Sequence, residues 1–220
     1  MKLITLDWEG TLVDFQWDLT GAVAETLSLL EARNISGNIF ANLDYAAIYN
    51  LVEKKGKDWG FQDGSLLSLV DNIYDRYDLD AASRWIVNGN LHNILEKLNT
   101  YKLALVTNIG RKGIESMLGR FKLHDSFGLI LTRDDVRFLK PEPEGILKAM
   151  AWAGVGKNET IHIGDSLSDV FASRNAGVKV GVVLGGQNTA ETLIQETPDL
   201  ILGNLEQLPE QLIKWEQEER

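Results

Sequence analysis

The chain has 220 residues, 44% hydrophobic and 25% charged, which suits one large domain or a domain carrying a smaller insert. Its net charge of −10, with no dense run of Lys and Arg, argues against a nucleic-acid partner, because phosphate backbones are held chiefly by those two residues. With no cysteine, disulfides, thiolate zinc sites and a cysteine nucleophile are excluded.

The opening MKLITLDWEG turns acidic before a signal-like apolar stretch develops, and no later segment is long enough to span a bilayer. The expectation is a cytoplasmic protein without a membrane partner. Residues 3–6 form a short apolar run that stops at Asp7 and Gly10. From about 14 to 88 the strand signal disappears, and 19–33, 44–57 and 65–77 carry apolar residues three and four apart, separated by Gly, Asn, Ser and Asp breaks. This predicts a small helical domain inserted after the first strand. Such an insert would lie over that strand's carboxyl end, where open α/β sheets bind ligands. Trp17, Tyr45, Tyr49, Trp59, Tyr74 and Trp85 fall within it, but aromatics at helical spacing are ordinarily packed core and take no binding role here. Lys54, Lys55 and Lys57 read as a solvated helix end.

Beyond residue 88 the pattern changes. Short aliphatic runs at 103–107, 129–132, 161–163, 178–183 and 200–202 alternate with amphipathic stretches at 91–99, 113–121, 143–153, 167–176 and 189–196. Continuously apolar strands separated by helices predict a parallel α/β sheet covered on both faces, a doubly wound, Rossmann-like arrangement. Pro141 and Pro143 sit where a first helical turn tolerates proline, and Gly154 and Gly177 where helices stop. The predicted division is therefore a core of residues 1–14 and 89–220, with a helical cap at 15–88.

Four strand ends carry polar residues. Asp7 and Glu9 follow the first strand, in Asp7-Trp8-Glu9-Gly10-Thr11. Thr107 and Asn108 follow the 103–106 run and precede a helix, which makes an anion seat. Lys140 stands beside Pro141, where it could neutralise phosphate and carboxylate charge. Gly164-Asp165-Ser166-Leu167-Ser168-Asp169 places two acids four residues apart where a strand gives way to a helix. Turn and cap chemistry explains each of these alone. It does not explain four of them at the carboxyl ends of predicted parallel strands, where folding brings them to one edge of the sheet.

In this order the residues resemble the haloacid dehalogenase superfamily, within it the phosphatases with a helical cap after the first motif, and most nearly the phosphoglycolate phosphatase-like members. The family's aspartate pair, Ser/Thr, Lys and acidic pair match Asp7/Glu9, Thr107, Lys140 and Asp165/Asp169, and the likeness extends through Thr132-Arg133-Asp134-Asp135 and the closing Pro198-Asp199-Leu200-Ile201. The resemblance implies a Mg²⁺-dependent phosphatase acting on a small phosphorylated metabolite. Asp7 would attack phosphorus to form an aspartyl-phosphate, which water then hydrolyses. Mg²⁺ would be held by Asp7, the backbone carbonyl of Glu9 and Asp165, with Asp169 a ligand through water or one step removed. Thr107 and the amides near Asn108 would bind phosphoryl oxygens, and Lys140 would offset the charge that Asp7 shares with the phosphoryl group.

Glu9 departs from the family pattern, which has Asp there as the acid that protonates the leaving oxygen. Glu keeps the carboxyl and adds a methylene, so three readings stand: a displaced but working acid/base, an acid suited to a different leaving-group position, or a slow or dead site. The alternatives in function are a phosphomutase of the β-phosphoglucomutase kind and a non-catalytic regulatory protein. Arg133 reads as a surface salt-bridge residue, and His92, His124 and His162 show no metal-ligand spacing. Whether the chain is a monomer or a homodimer is open at this level.

Overall fold

The four residues of β1 (Leu3–Leu6) are all buried, as expected of a strand covered on both faces. A computed structural model describes residues 1–218. In it β1 lies at the centre of a parallel sheet with β2 (Lys102–Val106), β3 (Leu129–Leu131), β4 (Thr160–Gly164), β5 (Lys179–Val183) and β6 (Leu200–Leu202). The spatial order is β3-β2-β1-β4-β5-β6. The winding reverses between β1 and β4, whose Leu6 and Ile163 are paired, so the crevice characteristic of doubly wound sheets opens beyond Asp7 and Asp165.

Side-chain parity along the strands separates two cores. Ile4, Leu6, Leu105, Ile161 and Ile163 enter one large cluster, while Leu3, Ala104, Val106 and Leu131 pack on the other face against Ile146, Ala149 and Ala172. The strand alternation thus decides which face each intervening polar residue meets.

Between β1 and β2 the chain forms α1 (Leu19–Glu31), α2 (Tyr45–Lys55) and α3 (Ser65–Arg84). Asp18 and Asp44 cap the first two, accepting from the N–H groups of Gly21 at 2.9 Å and Ala47 at 2.8 Å. All three helices contribute to the large cluster, and α3 packs against α5 (Arg111–Phe121) of the sheet-bearing part. The remaining helices are α4 (Leu91–Lys97), α6 (Glu144–Ala153), α7 (Leu167–Ala176), α8 (Ala190–Gln195) and α9 (Leu208–Glu218). Among the described residues no helix is long and apolar enough to cross a membrane.

The sequence pattern placed every strand. It missed α9, and it ended α3 near residue 77 although the helix runs on to Arg84. The last turns of α3 are polar, so periodicity fades there, yet Ala81 and Ala82 are buried and an Asp80–Arg84 ion pair spans one turn.

Candidate active site

Asp7 is the first residue past β1, and its N–H donates to the Ile163 carbonyl at 2.9 Å, carrying the strand pairing one step beyond the sheet. The chain then turns sharply, with Leu12 N–H donating to the Trp8 carbonyl at 2.8 Å. Gly10 sits at the turn with φ 80°, and a Cβ there would lie 2.1 Å from Asp165 Oδ2. Left-handed backbone and close approach both require glycine at this position. The turn also aims Thr11 Oγ1 at Asp165 Oδ1, to which it donates at 3.0 Å, while Gln187 N–H donates to Asp165 Oδ2 at 2.6 Å.

The other strand ends converge on the same point. Lys140 Nζ lies 2.7 Å from Asp7 Oδ1 and 2.5 Å from Asp169 Oδ1, and donates to the Val106 carbonyl at 3.1 Å. Asn108 brackets the Lys140 backbone: its Oδ1 accepts from Lys140 N–H at 3.0 Å, and its Nδ2 donates to the Lys140 carbonyl and to Tyr45 OH, both at 3.1 Å. The Asn108 side chain, at the position read from the sequence as part of a phosphate seat, is occupied in holding the lysine. Thr107 Oγ1 accepts from Ile109 N–H at 3.2 Å and lines the same crevice.

Asp169 has two different faces. Its Oδ2 closes a capping box at the start of α7, accepting from the N–H groups of Asp165 and Ser166 at 3.2 and 3.1 Å and from Ser166 Oγ at 2.5 Å. Its Oδ1 meets Lys140 and, at 3.0 Å, His162 Nε2, whose Nδ1 is 2.8 Å from Thr5 Oγ1. The cap explanation accounts for one oxygen of this carboxylate and leaves the other facing the site. The sequence reading assigned His162 no place. Its signal was parity: Ile161 and Ile163 point into the large cluster, so His162 between them points toward α7.

Two linker segments hold Glu9. Its Oε1 accepts from Trp85 Nε1 at 2.7 Å and from Gln16 N–H at 2.8 Å. Asp7, Glu9, Thr107, Asn108 and Lys140 line one crevice together with Phe15 and Trp17, which precede α1, and Tyr45, the first residue of α2. Tyr49, Trp59, Tyr74 and Trp85 are not in its lining.

Arg133 is buried and not a surface salt-bridge residue. It is 2% exposed, and its guanidinium meets Asp71 at 3.1 Å, Asp75 at 2.5 Å and Asp78 at 2.7 Å, three carboxylates on one face of α3. Asp78 also accepts from Trp17 Nε1 at 2.9 Å and from Gly110 N–H, at the start of α5, at 2.8 Å. Since α3 comes down over the end of β3, the residue that looked like a surface cation is a buried tie between the helical layer and the sheet.

The electrostatics follow from burial. Asp7, Asp165 and Asp169 present oxygens all within 4.8 Å of one another. Burial pushes the Asp165 carboxyl well above the ordinary range, with the neighbouring Asp169 and Asp7 charges adding to it. Asp7 is also raised by burial, against the pull of Lys140. Burial opposes the Asp169 charge too, but Lys140 and His162 hold that carboxyl far below the ordinary range. Lys140 stays above its usual range because Asp169 and Asp7 outweigh its own burial. The Glu9 carboxyl is pushed up to about 7 by burial, the Trp85 and Gln16 hydrogen bonds opposing that rise.

A divalent cation fits this set. Asp7 Oδ1 is buried without a well-aligned hydrogen bond, Asp165 bears uncompensated like charge, and every available donor is a hard oxygen. Asp165 has one donor on each oxygen, whereas Asp169 has three on Oδ2 and both Lys140 and His162 at Oδ1, which suits Asp169 to a supporting place better than to direct ligation.

The sequence profile of the haloacid dehalogenase-like hydrolases matches residues 4–183. Among curated proteins, the chain is 28% identical over 215 residues to phosphoglycolate phosphatase 1 of Pseudomonas aeruginosa, covering 94% of this chain and 78% of that one. It is 30% identical over 217 residues to the phosphoglycolate phosphatase of Pseudomonas syringae pv. tomato, with the same 94% and 78% coverage. Among solved structures, a Bacteroides fragilis protein assigned to the haloacid dehalogenase-like hydrolases superposes with a TM-score of 0.66 at 25% identity, over 94% of this chain and 99% of that one.

Proposed function

Because this chain belongs to the haloacid dehalogenase-like hydrolases, we propose that it is a phosphoric monoester hydrolase whose nucleophile is Asp7. The observation that carries this reading is the Asp7–Lys140–Asp169 array beside Asp165, in which a buried carboxylate faces the crevice against a fixed ammonium.

An Asp7 oxygen attacks phosphorus and the bond from phosphorus to the leaving oxygen breaks, with Glu9 delivering its proton to that oxygen. Water then attacks the aspartyl-phosphate, Glu9 takes up its proton, and phosphate and free Asp7 result. Lys140 and Thr107 bind the phosphoryl oxygens and offset their charge. Asp7, the Glu9 carbonyl and Asp165 would hold Mg²⁺, with Asp169 supporting; the ion supplies charge neutralisation to the phosphoryl group. Residues 15–88 act as a cap. In that role the layer covers the crevice, to whose lining it contributes Phe15, Trp17 and Tyr45. A mutase would retain the phosphoryl group; the crevice gives it no specific support. The substrate is a small phosphomonoester, and phosphoglycolate, named for the relatives, is the first to assay.

The test is phosphate release from a panel of small phosphomonoesters with Mg²⁺, checked by product analysis. Release of free phosphate supports the hydrolase; transfer between sugar hydroxyls with no phosphate released rejects it. Two further results are expected. Replacing Glu9 with Gln removes the proton but keeps the shape, and kcat on alkyl phosphoesters falls on the order of 100-fold or more; an unchanged kcat removes Glu9 from the acid role. Mg²⁺ at a hundred times its Kd stabilises the fold by about 2.7 kcal/mol, since the ion binds only the folded carboxylate cluster. Denaturant melts with Mg²⁺ and with chelator read this directly, and Asp165→Asn is expected to lose most of the difference.

A further inference from the structure

We propose that Trp85 is a positioning residue for Glu9, and that the methylene by which Glu9 exceeds the family's aspartate is what lets the carboxyl reach it. The proposal rests on the reading of Glu9 as the acid.

Glu9 is 6% exposed, and its two hydrogen-bond donors come from the two chain segments that join the helical layer to the sheet. Gln16 lies between β1 and α1. Trp85 directly follows α3. These segments are laced to each other: Asp14 N–H donates to the Ile86 carbonyl at 2.9 Å, Ile86 N–H to Asp14 Oδ1 at 2.7 Å, and Asn88 N–H to the Leu12 carbonyl at 2.9 Å. The Glu9 carboxyl is therefore fastened where the two connecting segments meet.

The indole is a fixed donor. Trp85 is fully buried, with its ring edge-on to Trp8 at a centroid distance of 5.8 Å, so its N–H has one direction to point. Both donors take Oε1, and Oε2 makes no hydrogen bond with any described residue. Trp85 thereby fixes the direction of the carboxyl. A carboxyl shorter by one methylene, on the same backbone, falls short of the indole.

The test uses leaving groups of different need. Glycerol 2-phosphate expels an alkoxide that must be protonated, whereas p-nitrophenyl phosphate expels a phenolate that leaves unaided. In this two-step scheme kcat/KM reports the first transfer alone. Trp85→Phe keeps the ring and removes the donor. Its kcat/KM is expected to fall tenfold or more on glycerol 2-phosphate and less than threefold on p-nitrophenyl phosphate. Equal losses on both substrates, the mark of a merely structural role, overturn the proposal, and so does no loss on either. In a Glu9→Asp background Trp85→Phe should cost less than twofold, because the contact is already gone; a full tenfold loss there also overturns it. If Trp85→Phe does not fold, Glu9→Asp alone must show the same selective loss, and wild-type turnover of glycerol 2-phosphate by Glu9→Asp rejects the proposal. Glu9→Gln run in parallel keeps the two ideas apart: if that variant loses nothing on the alkyl ester, the acid assignment itself has failed.

Discussion

Asp7→Asn is expected to lower phosphate release on every substrate by about 10⁴-fold or more, because the carboxamide offers no anionic oxygen to phosphorus. The variant should fold. Asn has the same shape, Lys140 keeps its 2.5 Å contact with Asp169, and the Asp7 N–H bond to the Ile163 carbonyl does not involve the side chain. Removing one of three crowded carboxylates relieves repulsion on Asp165, so stability without Mg²⁺ is expected to hold or rise while the gain from Mg²⁺ shrinks. Phosphate release and denaturant melts with and without Mg²⁺ measure both. Activity surviving in Asp7→Asn would overturn the nucleophile assignment. Lost activity with the Mg²⁺ effect fully retained would place the ion elsewhere.

Much of this site was legible because it is local in sequence. Asp7, Thr107 and Asp165 each stand at the end of an aliphatic run, and a parallel sheet aligns such ends without knowledge of any side-chain contact. What could not be read depended on partners far along the chain. Arg133 is buried because Asp71, Asp75 and Asp78 share a face of α3, and nothing near residue 133 announces that helix. Asn108 holds Lys140 across 32 residues, so a residue beside an apparent anion seat turns out to serve the lysine. Glu9 is the sharpest case. The sequence showed the departure from aspartate, but only the fold brings Gln16 and Trp85 together at its carboxyl. His162 lies between these extremes, since parity alone points it toward α7 but its partner Asp169 had to be seen.

Lys140→Met is expected to cost about 3–5 kcal/mol of stability and roughly 10³-fold in kcat/KM. The lysine is 5% exposed, and the two carboxylates it meets are also buried, so its loss leaves charge in a medium that solvates it poorly. The burden falls unevenly. Asp169 keeps its bonds from Ser166, the Asp165 N–H and His162, whereas Asp7 Oδ1 has no other protein partner. Methionine fills similar volume without charge, so packing changes little and the loss is electrostatic. Arginine is no remedy, because a planar fork of five donors does not fit where one ammonium meets Asp7, Asp169 and the Val106 carbonyl. Mg²⁺ near Asp7 and Asp165 should restore part of the stability, since any cation there lessens the repulsion among the carboxylates. It should not restore activity, because the position facing Asp169 stays empty of charge and the phosphoryl oxygens lose their ammonium. Denaturant melts of Lys140→Met with and without Mg²⁺, set beside its kcat/KM, separate these effects. A variant within tenfold of wild-type activity would remove Lys140 from the phosphoryl site and leave it only the structural task of neutralising Asp169.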